Sequence, residues 1–297
     1  MTTNLEGPEL VTGLSPEAGA QRPARFLRRL VRRPVGLFMV VLLSVLVLLA
    51  VLAPLIAPFD PERADLTALL QGPSGDHWFG TDALGRDMLS RVLYGMRLSL
   101  VAALGAMAIG AVVGVPGGLL AGYLGGWTDT VSSRVVDAIM AIPGLIFALT
   151  VIAVLGPGLG NVMLAIGLLL IPTFFRVTRA SVLDVRHDVY VEASVAIGCP
   201  TWRVTLAHVL PNAAPPILVQ ATLSFAIAVI AEAGLSFLGL GARPPSASLG
   251  RLLAEATGRM DVAHLLYVPG VAILLVVASA TLLGDVLRDM ASERERT

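Results

Sequence analysis

The chain has 297 residues, 56% of them hydrophobic and only 14% charged, where a soluble domain carries about a quarter charged residues; a water-soluble globular fold is excluded and an integral membrane protein is expected. Formal net charge is zero, so no electrostatic case exists for a nucleic-acid partner; all 21 basic residues are arginine. The single cysteine, Cys199, excludes an internal disulfide and a cysteine-based metal cluster.

Residues 1–24 show no apolar periodicity and read as a disordered tail, part of an amino-terminal segment 1–34. Arg22, Arg25, Arg28, Arg29, Arg32 and Arg33 then precede an uncharged run, residues 35–57, of 23 residues. That run is long enough to cross a bilayer and lacks a small-residue cleavage site, so it reads as a retained anchor. Beside a span, the arginine cluster reads as the positive-inside signal rather than as a nucleic-acid patch.

Residues 58–96 are polar, with turn signals at Asp60-Pro61 and Gly72-Pro73-Ser74-Gly75, and are expected outside the cell membrane. Within them runs His77-Trp78-Phe79-Gly80-Thr81-Asp82-Ala83-Leu84-Gly85-Arg86-Asp87. His77, Asp82 and Asp87 lack the spacing of a metal site. Trp78 and Phe79 are expected at the outer interface, with aspartate–arginine pairing to fix the loop.

Five more apolar spans are expected at 98–123, 138–155, 159–175, 213–231 and 265–283, making six transmembrane helices, with one membrane domain over 97–286 and a tail at 287–297. If the amino terminus is inside, the loop 176–212 and the tail are inside too. Fourteen arginines then lie inside against seven outside, as the positive-inside rule requires. Gly105, Gly110, Gly114, Gly117 and Gly118 with Pro116 predict close helix packing and a bend in the second span.

The stretch 176–212 is rich in charge between two apolar spans and predicts two helical pieces broken at Gly198-Cys199-Pro200. Ala193, Ser194 and Ala196 are small, so the helix beside Glu192 can approach a partner backbone closely. Gly198 would let the chain turn where a side chain would obstruct. Glu192 either accepts hydrogen bonds from a partner or holds the loop's own backbone; both readings stay open.

Glu192-Ala193-Ser194, Gly198 and Leu210-Pro211-Asn212 resemble the EAA loop of permeases of ATP-binding-cassette importers. The run from His77 to Asp87, the run from Glu232 to Gly241 with Pro244-Pro245, and Gly284-Asp285 with Leu287-Arg288-Asp289 resemble the C-type subunit of dipeptide and oligopeptide importers. The resemblance covers residues 77–289 and departs from the family pattern at Ser194, Leu249 and Thr281.

It implies an all-α, six-helix permease of the type-I arrangement, in which Glu192, Ala193, Ser194, Gly198, Cys199, Leu210, Pro211 and Asn212 couple the chain to an ATPase. The implied partners are a homologous B-type permease, two ATPase subunits that hold ATP and Mg, and an extracytoplasmic binding protein that delivers peptide. No cofactor is expected on this chain. The implied place is the bacterial inner membrane with both termini cytoplasmic; nickel or glutathione is the alternative cargo.

Glu232, near the end of a span, is a candidate pore or gate residue. The simpler expectation is that it pairs with an arginine or a backbone amide and positions the outer loop. No G-x-x-x-x-G-K-[ST] or H-E-x-x-H occurs, and the spans hold no paired catalytic groups, so the chain is not read as an enzyme. A secondary transporter would place ion-coupling carboxylates at mid-membrane with inverted repeats, whereas these carboxylates fall at span ends.

Overall fold

A computed structural model describes residues 34–295, with side chains through Met290. The arginine cluster at 22–33, the tail before it, and Arg294 and Arg296 lie outside the residues whose side chains are described. The regular elements of the described chain are helices, joined by loops of which 57–87 is the longest: α1 Pro34–Val51, α2 Ala53–Ile56, α3 Met88–Leu124, α4 Gly126–Met140, α5 Gly144–Leu155, α6 Leu159–Val185, α7 Val189–Ala196, α8 Thr201–Val204, α9 Leu210–Phe237, α10 Leu249–Ala256 and α11 Ala263–Glu295. Five helical runs among the described residues are long and apolar enough to cross a membrane; α4 and α5 form a sixth only if counted together.

That pair corrects one expectation. The predicted span 138–155 is not one helix: α4 and α5 meet at an angle of 88°. Pro143 has no N–H to continue the α4 ladder and drives Ile142 out of helical geometry, so one helix stops and another starts. Only Val136 of α4 is buried, and α4 carries Asp129, Arg134 and Asp137.

Several span boundaries also move, two of them at the centre of the fold. Asp87 caps α3 by accepting from the N–H of Ser90 at 2.8 Å, so the helix starts at Met88, ten residues before the predicted span. With 37 residues it is about 55 Å long, well beyond a hydrocarbon core of about 30 Å. At the other end of its span, α6 continues ten residues past Phe175 to Val185.

The core is set by how closely α3 and α6 approach. Gly110, Gly114, Gly118 and Gly122 recur every fourth residue, so they form one stripe along α3. A Cβ on Gly114 would lie 2.6 Å from the carbonyl oxygen of Ile171, and one on Gly118 would lie 2.4 Å from that of Phe175. With no hydrophobic force to pull helices together in lipid, such backbone-to-backbone contact supplies the packing. Around it Ala103, Ala106, Ile166, Phe174, Ala228 and Val276 form the buried centre, joining α3, α6, α9 and α11.

Thr201–Phe237 is one continuous helical run. Between α8 and α9, residues 205–209 form a wide π turn. Pro211 lacks an N–H for the regular ladder, and the Asn212 side-chain amide donates to the carbonyl of His208 at 2.7 Å, so Leu210-Pro211-Asn212 shapes this widening. Beyond α9, the short helix α10 seats on it closely: a Cβ on Gly250 would lie 2.1 Å from the carbonyl oxygen of Ala233.

Candidate functional site

Two polar assemblies stand at opposite ends of the bundle. At one end the loop of α7 and α8 is rooted by a small apolar cluster of its own: Val191 and Val204 pack with Leu119, Val182, Val209 and Ala213 from α3, α6 and the start of α9. Cys199 and Leu210 lie half-buried against this cluster. The loop is therefore one body with the ends of three long helices.

The break at 197–200 is a Schellman cap. The N–H of Cys199 donates to Ser194 at 3.1 Å and that of Gly198 to Val195 at 2.9 Å, with Gly198 at φ +80°. Nothing lies within 4 Å of a Cβ placed on Gly198, so the glycine is there for its left-handed backbone and not, as expected, for space. Ser194 directs its hydroxyl to the carbonyl of Tyr190 at 2.7 Å. Glu192 is exposed in the first turn of α7, where the helix dipole favours an anion, and it lines a groove with Tyr123, Arg186, His187 and Val195. Arg186 closes the root of the groove by donating to the carbonyl of Gly122 at 2.9 Å.

The outward face of this loop is apolar. Val189 and Ile197 are each more than four-fifths exposed, and Trp202 is 67% exposed, with Val195 and Leu206 beside them. A patch of this kind marks a surface that another protein or lipid covers. At the same end, Arg179 binds Asp129 through both carboxylate oxygens, and Arg176 binds Asp137 at 2.6 Å. Asp137 thus links α4 to α6.

At the opposite end, segment 65–71 lies along 81–86: Thr81 donates its N–H to Gln71 at 3.0 Å, and Leu70 donates to Asp82 at 3.0 Å. Asp82 is the hub. It accepts from the N–H groups of Leu84 and Arg86 at 2.8 and 2.9 Å, from Nε of Arg86 at 2.7 Å, and from Nη1 of Arg91. Arg91 is 1% exposed and also reaches Glu255 of α10 at 2.8 Å. The expected pairing of aspartate with arginine is present. His77 turns to Asp87 at 3.0 Å while Asp82 faces the arginines, so the three do not converge on one point.

Glu255 and Arg251 were missed from the sequence. The signal was present, since Arg251 and Glu255 stand four apart in a helix capped by Ser248, and they pair at 3.1 Å. Burial by itself would push the Glu255 carboxyl up; the hydrogen bond and charge of Arg91, with Arg86 and Arg251, outweigh it and hold the group below its ordinary 4.5. A carboxyl lowered in the folded state adds stability above its unfolded value and loses it as pH falls through the folded value. Acidification from about pH 5 to about pH 3 is therefore expected to lower the melting temperature, with Glu255→Gln removing part of that slope. Equal slopes for both proteins would contradict the pairing.

Glu232 is fully buried near the end of α9. Its Oε1 accepts from the hydroxyl of Ser236 at 2.6 Å and its Oε2 has no partner, so neither an arginine nor a backbone amide holds it, contrary to expectation. Twenty residues of helix separate it from Asn212, about 30 Å. The loop residues form one assembly, and Glu232 is not part of it.

A helix bundle whose long helices are apolar on their outer as well as inner faces is a multi-pass membrane protein. Residues 114–297 match the family described as binding-protein-dependent transport system inner membrane component, and residues 24–73 match the N-terminal TM domain of oligopeptide transport permease C. The chain belongs to the family of binding-protein-dependent transport system inner membrane components.

Among its relatives, the glutathione transport system permease protein GsiD of Pectobacterium atrosepticum is 39% identical over 267 residues, covering 89% of this chain and 87% of that protein. The protein of the same name from Escherichia coli O1:K1 / APEC is 42% identical, covering 89% and 88%. The dipeptide transport system permease protein DppC of Alkalihalophilus pseudofirmus is 37% identical, covering 88% and 86%. Among solved structures, a chain of the inward-facing MetNI methionine ABC transporter superposes with a TM-score of 0.57 at 20% identity, covering 68% of this chain and 97% of that one. At that identity the likeness speaks to the fold alone.

Proposed function

We propose that this chain is one permease subunit of an ATP-driven importer for dipeptides or short oligopeptides in the bacterial inner membrane, with both termini and the α7–α8 loop in the cytoplasm. It forms half of the pore with a homologous B-type permease. Two separate ATPase subunits hold ATP and Mg, and an extracytoplasmic binding protein delivers the solute; the chain itself carries no cofactor. The membrane domain runs over 97–286, preceded by the first span. The relatives named for glutathione keep that modified tripeptide as a second cargo.

The observation that carries this reading is the loop that is apolar outside and rooted inside. Val189, Val195, Ile197 and Trp202 offer a partner the surface that a docking ATPase buries. Val191 and Val204 tie that surface to α3, α6 and α9, so displacement of the docked subunit moves the membrane helices rather than the loop alone. Glu192, Ala193 and Ser194 form the docking helix, Gly198 and Cys199 its cap, and Leu210, Pro211 and Asn212 the widened turn that joins it to α9. Glu232, at the other end of α9, is assigned to the gate.

The test is Gly198→Arg. The space around its Cβ is open, so the folding penalty is the left-handed backbone alone, about 1–2 kcal/mol, and the protein should still reach the membrane. Peptide uptake by the assembled complex should fall sharply, with ATPase subunits recovered poorly on purification. Uptake at the wild-type rate would refute the docking assignment.

A further inference from the structure

At the end of the bundle opposite the α7–α8 loop, a cavity of about 350 Å³ opens between segment 82–91 and α10. Its polar wall is Asp82, Arg86, Arg91, Arg251 and Glu255; Leu84, Met88 and Leu252 form much of the apolar remainder. Three guanidinium groups thus face two carboxylates, and the wall keeps one positive charge in excess.

Arg91 carries the point further. One nitrogen, Nη1, serves both Asp82 and Glu255, while Nε and Nη2 of the same buried side chain have no hydrogen-bond partner. Charged donors held away from water without an acceptor are costly, and an acceptor brought against them relieves the cost. Arg91 also borders a space of about 40 Å³ beside Tyr94 and Pro245; that holds a water but no larger ligand. The larger cavity falls at the small end of the range for ligand sites.

We propose that this cavity is a carboxylate-binding site on the extracytoplasmic face, built on Arg86, Arg91 and Arg251. The planar guanidinium is the cation suited to bidentate capture of a carboxylate, and the apolar wall leaves room for the few carbons that carry it. The carboxylate comes either from the free end of a peptide solute or from an acidic side chain of the delivering protein. The inference rests on the importer reading for its orientation.

The experiment uses the complete transporter in lipid nanodiscs. Glycylglycine and glycylglycinamide are titrated onto it, and docking of the cognate binding protein is measured in the same preparation. Two variants report. Leu84→Trp fills the mouth from an exposed position without touching an ion pair, and Arg251→Gln removes one cation. Leu66→Trp, also exposed but away from the cavity, is the control.

Binding of glycylglycine but not its amide, weakened at least about tenfold in both cavity variants and unchanged in the control, assigns the site to the solute's carboxylate. No dipeptide binding, with docking weakened about tenfold in the cavity variants alone, assigns it to the delivering protein. Neither change overturns the site. ATP-driven uptake by the wild-type complex is recorded separately, so loss of this inference leaves the importer reading standing, and failure of uptake removes the reading itself.

Discussion

Gly118→Leu is expected to remove the folded protein from the membrane fraction. A Cβ at this position would lie 2.4 Å from the carbonyl oxygen of Phe175, 2.9 Å from Cβ of Thr178 and 3.0 Å from the backbone nitrogen of Arg179. Two of those three atoms are helix backbone, which cannot rotate aside as a long side chain can. The only relief is separation of α3 from α6. Because Gly110, Gly114 and Gly122 share the same stripe, separation at one rung opens the others.

Overpacking of a side-chain core costs about 1–3 kcal/mol. Here the resisting atoms are backbone, so the upper end of that range is the starting point, against a total stability of about 5–15 kcal/mol for a typical domain. Gly117→Ala is the matched control. Its Cβ would meet only the Phe175 ring, at 3.3 Å, and alanine favours the helix by about 1 kcal/mol over glycine. Detergent-extracted protein, quantified by size-exclusion chromatography, should be near wild type for Gly117→Ala and nearly absent for Gly118→Leu. Equal yields would mean that the α3–α6 contact is looser than described.

Asp82→Ala should open the opposite end of the molecule. Asp82 accepts four hydrogen bonds, two from main-chain N–H groups of its own turn and two from arginines, and both it and Arg91 are buried. Its removal leaves the buried Arg91 with Glu255 as its one carboxylate. Breaking one side of a buried ion pair costs about 3–5 kcal/mol when the remaining charge is left uncompensated, and Glu255 holds the loss here to the lower end of that range. The turn at 82–86 also loses the acceptor that shapes it, so residues 65–86 should exchange their amides faster while α6 and the α7–α8 loop stay protected. Melting of the purified protein should fall by on the order of 10 °C. A normal exchange pattern in 65–86 would show that Asp82 is not the hub of this segment.

The overall helical class, most of the spans and the break at Gly198-Cys199-Pro200 were legible in the sequence because each depends on neighbours in the chain. Apolar length, a left-handed glycine at a helix end and the missing N–H of proline are local causes with local effects. The same logic could have divided 138–155 at Pro143; averaging over a uniformly apolar run hid a break that the single residue announces. The start of α3 was less accessible. Ser90 and Arg91 look like loop residues in a membrane protein, yet both are inside the helix and buried.

What makes that placement tolerable is a pair of carboxylates, Asp82 nearby and Glu255, which is 164 positions away along the chain. The same holds for Asp129 with Arg179, 50 positions apart, whereas Glu232 takes a serine one turn further on rather than the arginine or amide its setting called for. The sequence by itself determined the helical class, most of the apolar spans and the break at Gly198-Cys199-Pro200, since backbone propensity and hydropathy act over a few residues. Only the tertiary structure decided which charges meet and which face of each helix is buried, because the energy of a buried charge depends on a partner that chain separation does not specify.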